Sequence, residues 1–118
     1  MKRDNDYIRN LLFKYEGEEK WLFIVPGGTM DSTPEECREK YHIKLMMDQG
    51  LIAAVGKDTM RMTSQGHDYL DAIRDNGIWQ KTKESAASVG GVTIGIMKDI
   101  AVGFVKQKLA EITGIALA

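Results

Sequence analysis

The sequence has almost no cysteine and no surplus of either charge. Cys37 is the single thiol in 118 residues, so a disulfide scaffold is excluded. Sixteen Lys and Arg stand against seventeen Asp and Glu, a formal net charge of −1. A basic sheath of the histone kind is excluded, because no excess of positive charge is there to neutralise phosphates. Nor is there an apolar run of about eighteen residues, so no membrane-spanning helix is expected. The start, Met1-Lys2-Arg3-Asp4, is charged and has no apolar stretch behind it, which is not the layout of a secretory leader. With the lone thiol, this points to a reducing, cytosolic compartment. Internal repeats are missing, and charge is spread evenly along the chain. What is present is 43% hydrophobic and 28% charged residues, the balance of a folded globular chain with a core of its own.

Hydrophobic periodicity and punctuation then place the elements. Tyr7, Ile8, Leu11, Leu12 and Tyr15 form one apolar stripe at helical period behind Asp4, a candidate N-cap, and Gly17 ends it. Trp21-Leu22-Phe23-Ile24-Val25 reads as a strand closed by the turn Pro26-Gly27-Gly28. Thr33, Pro34 and Glu36 combine an N-cap, a proline at the first helical position and a capping-box glutamate. The spacing predicts a helix over 34–49 with Gly50 as its left-handed stop. Residues 51–55 and 59–62 read as two strands of a hairpin turned at Gly56-Lys57-Asp58. Thr63 caps the next helix, Asp75-Asn76-Gly77 interrupts it, and Ile78 restarts it to about Ala87. Thr93 caps a last amphipathic helix reaching about Thr113.

Two local patterns narrow this order. His42-Ile43-Lys44-Leu45-Met46 followed by Gly50-Leu51-Ile52 resembles the end of a winged-helix recognition helix and its first wing strand. Arg61-Met62-Thr63-Ser64-Gln65-Gly66 resembles the strand-to-helix exit of winged-helix regulators, where the threonine caps and the glycine allows close approach. A broader likeness rests on Met1-Lys2-Arg3-Asp4-Asn5-Asp6-Tyr7-Ile8-Arg9, Tyr41-His42-Ile43-Lys44-Leu45, and Thr63-x-x-Gly66-His67-Asp68-Tyr69-Leu70-Asp71-Ala72-Ile73-Arg74-Asp75 through Ile78-Trp79. These stretches are similar to a small bacterial and prophage-associated family, domain of unknown function 2513. The resemblance implies a fold and a mobile-element context, and no activity. The expected architecture is α+β: a winged-helix-like domain over 1–79 (helix-strand-helix-β-hairpin-helix) and a C-terminal helical extension over 80–118. One element of the regulator pattern is missing, since the seven residues between Val25 and Thr33 cannot hold a supporting helix and its turn.

The candidate sites follow from this layout. Duplex reading would use Arg38, Lys40, His42 and Lys44 on helix 34–49, with Lys57 and Arg61 from the hairpin touching phosphates. Glu35, Glu36, Glu39 and Asp48 lie among them and repel phosphates, so a mixed-charge solvated face with pairs such as Glu36–Lys40 is the simpler expectation. Catalysis has little to work with. Cys37 sits one turn into a helix, where a dipole lowers a thiol pKa, yet its place in the apolar stripe predicts burial. The hydroxyls of Ser32, Thr33 and Ser64 stand in no nucleophile elbow, and no phosphate-cradling glycine loop occurs. His42 and His67 lack the partners of a metal centre, so no metal, cofactor or catalytic residue is expected. Met46, Met47, Met60 and Met62 read first as core filling and second as a pliable contact surface.

The last helix is the most suggestive segment. Ile96, Met97, Ile100, Ala101, Phe104, Val105, Leu109 and Ile112 form a long stripe, and Gly95 and Gly103 permit close helix approach. It either packs on its own domain or pairs with a second copy, and a homo-oligomer is the expectation. The reading is a non-enzymatic, prophage-associated protein that binds and modulates a host or phage protein. A DNA-binding transcriptional regulator acting on double-stranded DNA is the alternative.

Overall fold

The computed structural model describes residues 1–25 and 32–115. The expected turn at Pro26-Gly27-Gly28 lies outside the described residues. The fold is α+β, with five helices and a three-stranded antiparallel sheet among the described residues. Two compact units divide the chain, Met1–Leu70 and Asp71–Ala118.

The first unit contains α1 (Asn5–Glu16), β1 (Leu22–Ile24), α2 (Pro34–Asp48), β2 (Ile52–Gly56), β3 (Thr59–Met62) and most of α3 (Ser64–Ile73). Its helices start where the caps demand. Asp4 Oδ1 accepts the Tyr7 N–H at 3.1 Å. Thr33 Oγ1 accepts the Glu36 N–H at 3.1 Å, and the Glu36 carboxylate accepts the Thr33 N–H at 3.2 Å, a complete capping box. Glu36 is thereby committed to the helix start, whereas the sequence suggested a pair with Lys40. Gly50 ends α2 at φ 72°, a backbone state in which a side chain would be strained.

β3 is the central strand, in the order β1-β3-β2. Leu22 opposes Arg61 and Phe23 opposes Met60, while Ile52 opposes Met62 and Ala53 opposes Arg61. A bulge lies between Ala54 and Gly56, and Asp58 takes φ 57° in the turn. The first strand is shorter than the apolar run that announced it, because Trp21 lies outside the ladder and is 68% exposed. Ile8, Leu11, Leu12, Ile43, Met46, Ile52, Met60, Tyr69 and Leu70 are buried, so Met46 and Met60 fill core.

Thr63 and Gly66 lock the exit from the hairpin. The Thr63 N–H donates to Leu51 O at 3.0 Å. Its hydroxyl donates to Gly50 O and accepts the Gly66 N–H at 3.0 Å. A Cβ on Gly66 would run into the Leu51 carbonyl oxygen, so only glycine lets α3 begin this close to β2.

The second unit holds α4 (Asn76–Ala87) and α5 (Ile94–Thr113). Asp75 caps α4, accepting the Ile78 N–H at 2.9 Å. The helices run antiparallel: Lys108, late in α5, pairs with Asp75 at the start of α4, Nζ to Oδ2 3.1 Å. Ile78, Trp79, Thr82, Ala86, Ile94, Met97 and Ala101 are buried. The division at Leu70 and Asp71 groups residues 71–79 with the extension, whereas the sequence placed a boundary after Trp79; Ile78 and Trp79 belong to α4, which packs on α5.

Candidate functional site

The six basic or histidine side chains proposed for duplex contact sit in three places. Arg38 and His42, one turn apart, face α1. His42 is fully buried. Its Nε2 accepts the Asp4 N–H at 3.0 Å, and its Nδ1 lies 2.8 Å from Arg38 O. A backbone N–H can only donate, so Nε2 is the acceptor and Nδ1 carries the proton. Arg38 pairs with Asp4, Nη2 to Oδ2 2.7 Å, and lies 4.1 Å from the Tyr7 ring centre. His42 is therefore corrected from a surface contact to a buried fastener, and Arg38 is engaged inside the unit. Lys40 and Lys44 project from the opposite side of α2, by the 100° step of a helix. Lys57 is exposed at the turn, and Arg61 is exposed on the face of β3 opposite the buried Met60.

Cys37 is also corrected. It is exposed, because α1 covers the side of α2 that holds His42, Ile43 and Met46. His42 has both nitrogens engaged and is not available as a base for this thiol. The Thr33 hydroxyl is spent on its cap. Among the described residues, no three His, Cys, Asp or Glu side chains converge to hold a metal ion. No described helix is long and apolar enough to cross a membrane.

A concave region that sequence reasoning missed lies along β1. Tyr15 of α1 stacks on Phe23 with ring centres 4.0 Å apart and planes 6° from parallel. The Tyr15 hydroxyl donates to Glu39 Oε2 at 3.1 Å, and Lys14 Nζ donates to Glu39 Oε1 at 3.1 Å. Burial, then the Glu39 carboxylate, raises the Tyr15 pKa above the ordinary phenol value. Tyr7 is pushed up to about 12 by burial and by its hydrogen bond to Glu35, and Tyr69 to about 12 by burial. The groove has a volume of about 620 Å³ and is bordered by Glu18, Glu19, Lys20, Leu22 and Ile24 as well. The visible signal was the apolar strand; the stack and its carboxylate needed α1 and α2 in place.

In the second unit, the interface stripe of α5 is split. Met97 and Ala101 are buried within the chain, which removes them from any partner surface. Ile100, Phe104 and Val105 are half-buried, and the Phe104 ring lies under Lys81 Nζ at 5.9 Å. Ile96, Leu109, Ile112 and Ile115 are exposed.

The chain was compared with known proteins. No solved structure matches it. A protein of Haemophilus influenzae strain Rd, titled "Uncharacterized protein", is 31% identical over 120 residues, covering 93% of this chain and all of that protein. Residues 2–93 match the family described as "Hypothetical protein (DUF2513)". That stretch takes in the whole first unit except Met1 and runs through α4 to the start of α5, and on this evidence the chain belongs to the DUF2513 family.

Proposed function

We propose that this protein is a non-enzymatic binding module that acts by protein–protein contact, modulating a host or phage factor in a prophage setting. The observation that carries the reading is the unequal length of the two C-terminal helices. α4 has 12 residues and α5 has 20, about 18 Å against about 30 Å at 1.5 Å per residue. Lys108 already meets the N-cap of α4, so residues 109–113 overhang. Leu109, Ile112 and Ile115 are 42%, 71% and 60% exposed there, an apolar cluster without cover among the described residues. A second copy of the chain is the simplest occupant to test.

In the same reading the first unit is winged-helix-like. Support comes from its helix-strand-helix-hairpin-helix order and its β1-β3-β2 sheet. DNA binding is the second reading, favoured by the exposure of Lys44, Lys57 and Arg61. The engagement of Arg38 and the burial of His42 weigh against it.

Sedimentation of the full chain and of Ile112→Asp tests the reading. The wild type should show a mass above the monomer, or retain a stoichiometric partner, and the variant should lose it with its melting temperature unchanged. A monomeric wild type that retains nothing overturns it. Titration with random duplex at low and moderate salt tests the alternative. Binding that weakens steeply with salt would favour DNA.

A further inference from the structure

We infer that the edge of β1 turned away from β3, unpaired among the described residues, is a docking site for an extended, basic segment of a partner protein, added to the sheet as a fourth strand. This rests on the protein-interaction reading and names a second place, with a partner chemistry, in the first unit.

The main chain supplies the first argument. The Val25 N–H donates to Asp58 O at 2.9 Å, and Phe23 opposes Met60. In an antiparallel ladder alternate residues turn their N–H and C=O to the same side. Residues 23 and 25 therefore bond toward β3, and Leu22 and Ile24 turn their polar groups outward. Among the described residues, β1 is the end strand of the sheet on that side. Leu22-Phe23-Ile24 is short, three residues, but contains neither a charge nor a proline, two of the guards by which edges are blocked.

Shape and charge supply the second. The edge looks into the groove of about 620 Å³, which leaves room for a strand at the ordinary 4.8 Å spacing. The Tyr15–Phe23 stack forms part of its apolar lining. Ile24, on the opposite face of β1 from Phe23, is 78% exposed beside it. The groove carries three carboxylates and two ammonium groups. Lys14 is already paired with Glu39, so Glu18 and Glu19 face Lys20 with negative charge in excess. An extended segment with alternating Lys or Arg and apolar residues meets both requirements: its backbone completes the ladder and its cations meet Glu18 and Glu19. An acidic segment would be repelled.

The probe is the blocked peptide acetyl-Lys-Val-Lys-Val-Lys-amide, added to the ¹⁵N-labelled full chain. Binding should shift the Leu22 and Ile24 amides and slow their hydrogen exchange by roughly tenfold. The Glu-for-Lys peptide and a version N-methylated at every residue should do neither. Ile24→Pro removes an outward N–H while leaving the ladder to β3 intact, a substitution edge strands tolerate; it should abolish the effect and preserve the remaining spectrum. Glu18→Lys with Glu19→Lys should weaken it. No shift at millimolar peptide, equal binding of the acidic or N-methylated peptide, or shifts confined to other residues would overturn the proposal. The same amides shifting with protein concentration alone would overturn it in favour of a second copy's strand. None of these outcomes bears on the Ile112→Asp result, so the two readings fail separately.

Discussion

The two units are fastened by different means. Between α1 and α2 of the first, polar side chains reach across long stretches of sequence: Asp4 to Arg38 and His42, Tyr7 to Glu35, Lys14 and Tyr15 to Glu39. α4 and α5 of the second meet through apolar packing, with the Lys108–Asp75 pair at one end. Polar contacts between helices are directional and fix one relative placement, whereas an apolar stripe tolerates sliding and leaves surplus length uncovered. The difference teaches where each unit is sensitive. The first depends on buried hydrogen-bonding groups and on tyrosines; all four tyrosines of the chain lie in it. The second depends on a cap and offers its surplus outward.

The comparison breaks most visibly in the core. Ile43→Ala removes a fully buried side chain of α2 and should destabilise the first unit by about 2–5 kcal/mol. Ile112→Ala, at an exposed position, should change stability by less than about 0.5 kcal/mol. Denaturant unfolding of each variant, followed by amide signals of each unit, would show both. An equal effect would refute the contrast.

His42→Phe should come next. It keeps a ring in the pocket but leaves the part-buried Asp4 N–H without its acceptor, at about 1–3 kcal/mol, while the Arg38 C=O keeps its helical partner, the residue 42 N–H. Cys37→Ser, exposed on the same helix, should be neutral within about 0.5 kcal/mol. Long-range ¹⁵N correlation should find the His42 proton on Nδ1.

Alkaline pH separates the units further. Tyr7 and Tyr69 sit at about 12 in the folded state against 10.0 for an ordinary phenol. Folding therefore holds their protons more tightly than the unfolded chain does. Their contribution to stability is present below about pH 10 and is lost as pH rises toward 12. Unfolding midpoints measured from pH 9 to 12 should fall in the first unit, and Tyr69→Phe should flatten the fall.

Acid gives the smallest effect. The Asp75 carboxyl is held below its usual value of 3.8, first by the Ile78 N–H and then by Lys108. That contribution is present above the ordinary carboxylate value and fades as pH falls through the depressed one. Asp75 is solvent-exposed, so salt screens it. Asp75→Asn should reduce the acid sensitivity of the second unit slightly, read as its melting temperature at pH 6 against pH 3.

Element positions were legible because their signals are local. Thr33-Pro34-Glu36 starts α2, Gly50 stops it, Thr63 starts α3, and Thr93 starts α5 within one residue of where punctuation put them. The face of α2 that would be buried was not legible. Cys37, Tyr41, Ile43, Leu45, Met46 and Met47 are spread around its circumference, so periodicity alone left several faces open. α1 chose the face of His42, Ile43 and Met46, leaving Cys37 in solvent and taking His42 from the basic set.

By itself, then, the sequence determined the caps, the stops, the hairpin and the near-neutral charge, which depend on neighbours within a turn or on simple sums, and the family, which rests on the identity of residues along most of the chain. Only the tertiary structure decided that His42 fastens α1 to α2, that Tyr15 stacks on Phe23 beside the edge of β1, and that α4 and α5 pair antiparallel with Lys108 at Asp75, leaving the end of α5 uncovered among the described residues. Each of these joins residues distant in sequence, or compares two elements that no local pattern relates.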